Sequence, residues 1–308
     1  MQDGEVFGWG TFRNMNGRWR FSPSIEIATT PQRVQIGDGR ERIESIASGS
    51  DHAIAITLSG TVFSWGTAEQ GRLGRIAKAE CGKKRPDEEL VPKKVSGLPP
   101  ISMASCGLFS TMVVGRDGDV FAWGGNNCGQ IALEGEGPYH YPHHVDALGP
   151  CAQVACGQHH SLALTHEGQV LSFGRTTYGR LGREDANAKA DDIKSTPAPV
   201  DGIDSKVISV SAGPEVSGAV TDDHTALVWG NGQNHQLGQG EDAEDDKLKP
   251  TILQLEENSK QRKALSIAFG GQHTAVMVSS RDSSLGKRES AWTGQEKENG
   301  PGKRARLS

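Results

Sequence analysis

Long apolar runs, paired cysteines and catalytic signature motifs are all scarce in this chain of 308 residues. The longest uninterrupted apolar stretches are a handful of residues, such as Met112-Val113-Val114, far short of the ~18 that a membrane-crossing helix needs. Five cysteines, at 81, 106, 128, 151 and 156, form an odd set without a C-x-x-C pair. That argues against a disulfide framework and a zinc knuckle, and it fits a reducing compartment. The start, Met1-Gln2-Asp3-Gly4, has neither a basic segment nor a long apolar region, and no N-x-[ST] acceptor occurs, so secretion is not expected. No Gly-x-Ser-x-Gly elbow, His-Glu-x-x-His helix or P-loop is present, which speaks against a covalent catalyst. Gly230-Asn231-Gly232 opens no helix and reads as a turn rather than a dinucleotide site. Net charge is −5, and residues 281–308 carry seven Lys/Arg against four Asp/Glu, which leaves −5 − 3 = −8 on residues 1–280. An acidic body lacks the clustered cations of a general nucleic-acid binder.

What the chain has in excess is glycine, 40 residues, and the glycines keep a period. An aromatic-glycine pair recurs as Trp9-Gly10, Trp65-Gly66, Trp123-Gly124, Phe173-Gly174 and Trp229-Gly230. Five positions before each aromatic stands Gly4, Gly60, Gly118 or Gly168, with His224 in the last unit. Eleven positions earlier again stand Gly49, Gly107, Gly157 and Gly213, and Gly270 follows in the last unit. A Pro-x-x-aliphatic signature accompanies them as Pro31/Val34, Pro92/Val95, Pro142/Val145, Pro197/Val200 and Pro250/Leu253.

Between glycine and turn, 52–57 and 161–165 are short, apolar and bounded by turn residues, and they read as inner strands. After the turn, 61–65 and 119–123 alternate polar with apolar, as a hairpin partner should. Proline places the last strand of each unit at an edge, where a missing N–H costs no ladder bond. Sheets of about four strands recurring at this spacing predict an all-β chain folded as a β-propeller. The units run near 1–48, 49–106, 107–156, 157–212 and 213–280, followed by a disordered basic tail over 281–308.

The combination Gly-x-x-His, Asp-Gly-x-Val-x-x-Trp-Gly and Gly-x-Leu-Gly, best seen in residues 157–174 followed by Tyr178-Gly179-Arg180-Leu181-Gly182, resembles the regulator of chromosome condensation repeat. The resemblance covers residues 3 to about 278. It implies a nuclear, chromatin-associated guanine-nucleotide exchange factor for the small GTPase Ran, which needs no cofactor and makes no covalent bond. Such propellers have seven blades, whereas about five of seven are present here: four whole units with a half at each end. The expectation is that two amino-terminal blades are missing; a closed five-bladed ring is the alternative.

Two inserts carry the exchange-factor resemblance. Gly10-Thr11-Phe12-Arg13-Asn14-Met15-Asn16-Gly17 replaces the usual Gly-x-Leu-Gly turn and is similar to the family's β-wedge, a finger that displaces the phosphate-binding loop of the GTPase. Its Arg13, Asn14, Asn16 and Gly17 are therefore candidate exchange residues. Asp51, which departs from the Gln or Phe of other units, Arg75, His159, His160 and His273 fall on matching positions of the exchange face. The second insert, Cys81-Gly82-Lys83-Lys84-Arg85-Pro86, sits in a stretch, 72–94, with eight Lys/Arg against four Asp/Glu. By resemblance Lys83, Lys84 and Arg85 meet the acidic patch of a nucleosome. In the tail, Lys287-Arg288 and Lys303-Arg304-Ala305-Arg306 have the spacing of a bipartite signal for an import receptor, and Lys297-Glu298-Asn299 resembles a degradation box.

Blander readings stand beside these. The histidines of Gly-x-x-His, namely His52, His160 and His273, would bond backbone within their own blades. His140, His143 and His144 lie on an edge strand and read as exposed polar residues rather than a metal cluster. The whole chain could be an interaction scaffold, ubiquitin-ligase-like or a chromatin adaptor, without exchange activity.

Overall fold

Each glycine-to-aromatic stretch folds as two adjacent antiparallel strands. In one sheet His52–Thr57 pairs with Val62–Gly66, from Ile56 opposite Val62 to His52 opposite Gly66, and Ser110–Gly115, His160–Thr165 and Val216–Thr221 pair with their successors in the same way. The turn between them needs a left-handed residue: Gly118 has φ +93°, and His224 takes its place at φ +68°. The protein is described as a computed structural model covering residues 4–14, 17, 19–80, 85–184, 192–240, 245–257 and 260–279. The chain separates into a unit of Met1–Val278 and a second of Ser279–Ser308. The basic tail, with Lys287, Arg288, Lys297 and the cluster at 303–306, lies outside the described residues.

A further strand lies on the inner side of each pair. Ile43–Ser48, Ile101–Cys106, Cys151–Cys156 and Val207–Ala212 precede the glycines and complete four-stranded sheets with the outer strands Lys93–Lys94, Tyr139–His144, Ile193–Pro199 and Lys247–Ile252. The strands read as innermost from the sequence are thus second in order. The glycine-to-glycine units begin between the first and second strands of each sheet, so every repeat contributes its last strand to the following blade. Val6–Gly10 with Ala28–Val34, and Ala264–Phe269 with Thr274–Val278, form two-stranded sheets at either end. Among the described residues this is a β-propeller fold with four whole blades and two halves.

The proline signature has a structural cause. Pro31, Pro142, Pro197 and Pro250 lie in outer strands that pair on one side only. The aliphatic residue three positions on turns inward: Val145 is fully buried and its N–H donates to the Val120 carbonyl at 2.9 Å, as Val95, Val200 and Leu253 do to Val62, Val170 and Ala226.

Blades are stitched to each other by backbone. The carbonyls of the turn residues Gly60, Gly118, Gly168 and His224 accept from the N–H of Ile101, Cys151, Val207 and Ala264, the starts of the next blades. At the other end of the same strands, a Cβ added to Gly49, Gly107 or Gly157 would sit 2.4–2.5 Å from the carbonyl oxygen of the next glycine in the series. These glycines are needed for close approach, not for turn geometry. They line a central cavity of about 500 Å³. Between the blades the second and third strands are buried on both faces, with Trp123, Phe173 and Trp229 wholly enclosed. The cysteines at 106, 128, 151 and 156 are free thiols, and burial pushes Cys151 and Cys156 up to about 11.

Candidate exchange face

In the blades the third strand is joined to the outer strand by a segment that holds the Gly-x-Leu-Gly turn, with Leu73, Ile131, Leu181 and Leu237 driven into the core. In the first half-blade that turn is replaced. Gly10 pairs with Ala28, so residues 11–27 leave the sheet and return at the same point. The excursion folds on itself: Phe12–Arg13 pairs with Trp19–Arg20, and the Gly17 N–H closes the tip by donating to the Asn14 carbonyl at 3.0 Å. Gly17 takes φ +74° and has open space around its Cα, while Thr11, Arg13 and Arg20 are exposed. Phe12 anchors the base, packed against the cluster of Val6, Ile36, Ala55, Phe63 and Trp65. Asn16 lies outside the described residues.

Asp51 sits beneath this hairpin. Its Oδ1 accepts the Arg13 backbone N–H at 2.9 Å, and Oδ2 lies 3.4 Å from Nη1 of Arg72. The Arg72 guanidinium, with side chain 1% exposed, stacks over the Phe109 ring at 4.7 Å, and its Nε donates to the Glu69 carbonyl at 3.0 Å. Burial lowers the pKa of Arg72, and Asp51 and Glu69 oppose that shift. The sequence reading took Asp51 as a residue facing a partner; the structure shows it also holding the hairpin. Arg72 carries one sequence signal: the residue before the buried aliphatic of this turn alternates Arg72, Gln130, Arg180, Gln236, and only the two arginines stand in Gly-x-Leu-Gly.

Glu215 was also missed. It occupies the position of Asp51 three blades on, accepts from Asn231 Nδ2 at 2.7 Å and lies 3.7 Å from Arg180 Nη2, with about a third of its side chain exposed (37%). His159, at that position in the blade before it, is half-exposed, with Nδ1 3.7 Å from the Cys128 thiol.

Of the Gly-x-x-His histidines, His52 and His160 bond across blade interfaces rather than to backbone within their own blades. His52 Nε2 lies 2.8 Å from the Thr111 hydroxyl, and His160 Nε2 lies 2.8 Å from the Ser217 hydroxyl, each across a blade interface. Those hydroxyls donate onward to the carbonyls of Arg72 and Arg180, which also accept the indole N–H of Trp123 and Trp229. Each histidine therefore carries its proton on Nε2, while Nδ1 is buried without a partner over Gly49 or Gly157. A second proton would have no acceptor. Burial, with Arg72 nearby, holds His52 at about 3, and burial likewise holds His160 well below its ordinary value. His160 is thus inside the blade interface, whereas His273 shares the local turn but is exposed, because its strand, Thr274–Val278, pairs only with Ala264–Phe269 among the described residues.

Arg75 is committed to the scaffold. Its guanidinium donates to the carbonyls of Ser64, Glu88, Glu89 and Val91 and to the Ser64 hydroxyl, clamping the third strand to the short helix Pro86–Glu89. Burial lowers its pKa to about 10. Of the basic insert, Lys83 and Lys84 lie outside the described residues, and Arg85 is exposed and pairs with Glu80 at 2.9 Å. His140, His143 and His144 diverge: His140 meets the Ile76 carbonyl, His143 stacks edge-on to Tyr139, and His144 pairs with Asp146.

Residues 1–276 match the family model for the RCC1-like domain. The chain is 33% identical over 290 residues to the regulator of chromosome condensation of Xenopus laevis, covering 91% of this chain and 66% of that protein. It is 31% identical over 288 residues to the ultraviolet-B receptor UVR8 of Arabidopsis thaliana, covering 92% of this chain and 59% of that protein. Among solved structures it superposes on Prp20p of Saccharomyces cerevisiae, studied together with its binding properties to Gsp1p and histones, with a TM-score of 0.76 at 26% identity, over 89% of this chain and 64% of that one. The chain spans about two thirds of the length of these relatives. With its glycine-to-aromatic period built into blades and a family model matched from end to end of them, the chain belongs to the RCC1-like domain family.

Proposed function

We propose that this protein is a guanine-nucleotide exchange factor for Ran, acting through the face that carries the 11–27 hairpin. One observation carries the reading: where the whole blades have a turn that drives Leu73, Ile131, Leu181 or Leu237 into the core, the first half-blade has a self-paired finger, and a carboxylate, Asp51, fastens its Arg13. A finger fixed to a rigid ring can occupy space in the GTPase that bound nucleotide and its phosphate loop also need. Complex formation then favours the nucleotide-free GTPase, and incoming nucleotide displaces the protein, so the rate rises while the exchange equilibrium is untouched. Each factor of ten in nucleotide release asks for about 1.4 kcal/mol of such differential affinity.

Arg13, Asn14, Asn16 and Gly17 form the finger in this proposal; Asp51, His159 and His273 lie around it as partner contacts, with Arg75 and His160 supporting from within. Lys83, Lys84 and Arg85 meet nucleosomal acidic side chains, and the tail is read by an import receptor, which places the protein on chromatin in the nucleus. The test is release of a fluorescent GDP from Ran in excess GTP. The full chain is expected to accelerate release, and an Arg13→Ala plus Asp51→Ala variant is expected to lose at least tenfold. Equal acceleration by the two proteins removes Arg13 and Asp51 from the mechanism. No acceleration by either supports a second reading, a docking propeller, which the similarity to an ultraviolet-B receptor favours.

A further inference from the structure

We infer that Arg72 is a positioning residue for the hairpin, transmitting the rigidity of a blade interface through Asp51 to the finger. The inference rests on the exchange reading only for its kinetic consequence; the mechanical part stands on geometry. Arg72 is wholly buried, and its guanidinium faces two carboxylates: Glu69 at 3.8 Å within its own turn, and Asp51 at 3.4 Å, which is about a quarter exposed (24%). A carboxylate so placed could turn into water. Facing Arg72 at 3.4 Å, it keeps one oxygen on the cation and presents the other to the Arg13 N–H. A charge-assisted bond to a backbone N–H is both short and directional, which suits it to fix a strand that has no sheet neighbour beyond its own hairpin.

Arg72 is itself over-determined. Its carbonyl accepts from Trp123 Nε1 at 2.9 Å and the Thr111 hydroxyl at 3.3 Å, its Nε is held by the Glu69 carbonyl, and its guanidinium plane covers Phe109. Trp123, Thr111 and Phe109 all belong to the following blade. The path from blade interface to finger is therefore contiguous: Trp123 and Phe109 to Arg72, Arg72 to Asp51, Asp51 to Arg13.

The repeat supplies its own control. At the equivalent position of two other blades stand Gln130 and Gln236, whose Oε1 atoms accept the N–H of Cys128 and Asn234 and so cap the same turn without a charge. Glutamine thus satisfies this turn in the fold, but it lacks the cation that holds Asp51. Arg180 is an arginine at the same turn, with Nε on the Thr177 carbonyl at 2.8 Å, but the counterpart of Asp51 in its own blade is His159, and the carboxylate it faces, Glu215, comes from the following blade and bonds Asn231 rather than a hairpin.

The experiment compares Arg72→Gln, Arg72→Lys and Arg180→Gln in the full chain. Amide hydrogen exchange at Arg13 is expected to speed up at least tenfold in Arg72→Gln, to be partly restored in Arg72→Lys, and to stay at the wild-type rate in Arg180→Gln. In GDP release from Ran, Arg72→Gln is expected to lower kcat more than tenfold with KM nearly unchanged. An Arg13 amide that exchanges equally in wild type and Arg72→Gln overturns the inference, as does equal acceleration in both glutamine variants, which signals general loosening. A wild-type chain without exchange activity ends the functional reading alone; the Arg13 amide still decides the positioning role.

Discussion

Acidifying the protein from pH 6.5 to 5 is expected to remove about 2 kcal/mol of stability through the buried His52, with His160 acting in the same direction. In the unfolded chain His52 and His160 take up protons near pH 6.5. In the folded chain His52 does so only at about 3 and His160 also far below its ordinary value, because Nδ1 is enclosed with no acceptor for a second proton. Between the two pKa values the unfolded state binds more protons, so stability is complete above pH 6.5 and falls as pH drops through that window. Each unit costs about 1.4 kcal/mol per histidine, which over one and a half units gives the figure above for His52. His140, partly buried, has its pKa lowered by desolvation and adds a smaller slope of its own. Urea unfolding at pH 7 and pH 5 should show the loss, and a His52→Gln plus His160→Gln variant should lack most of it, retaining the N–H donor toward Thr111 and Ser217. Identical pH dependence in the variant and the wild type refutes the neutral, Nε2-protonated assignment.

Gly157→Ala should destabilise by about 3 kcal/mol or more, because its Cβ would stand 2.5 Å from both the Gly213 carbonyl and His160 Cε1. Gly149→Ala, where the new methyl meets open space, should leave the thermal midpoint within a degree or two, and calorimetry of both separates close approach from general intolerance of substitution. Trp229→Phe removes an indole donor from the Arg180 carbonyl and leaves a small void, so a loss of about 1–2 kcal/mol is expected in denaturant midpoint. Retention of full stability there would deny the indole its part in the blade interface.

Much of the scaffold was legible because repetition is written in residue types that have few substitutes. The left-handed turn takes Gly118 or an exceptional His224, the edge takes proline, and the buried step inward takes Val145 or its equivalents. Aromatic-glycine pairs marked the third strand of every blade. The first strands, such as Ile43–Ser48 and Cys151–Cys156, were not picked out, since their small, alternating residues carry no turn or proline landmark and are recognised only by where they converge.

The sequence by itself determined the period, the phase of the glycines and the place where the pattern breaks into the 11–27 insert, because each of these depends on local backbone geometry. Only the tertiary structure decided what the loop-face side chains do. Asp51, Arg72, Arg13 and Phe109 come from three different blades, and nothing in their spacing says that a carboxylate will bridge a buried cation and a finger. The same holds for His52 and Thr111, His160 and Ser217, whose bonds cross blade interfaces some sixty residues apart (|i−j| of 59 and 57). Local order is set by what each residue permits its own backbone; partnership is set by which blade lies next to it.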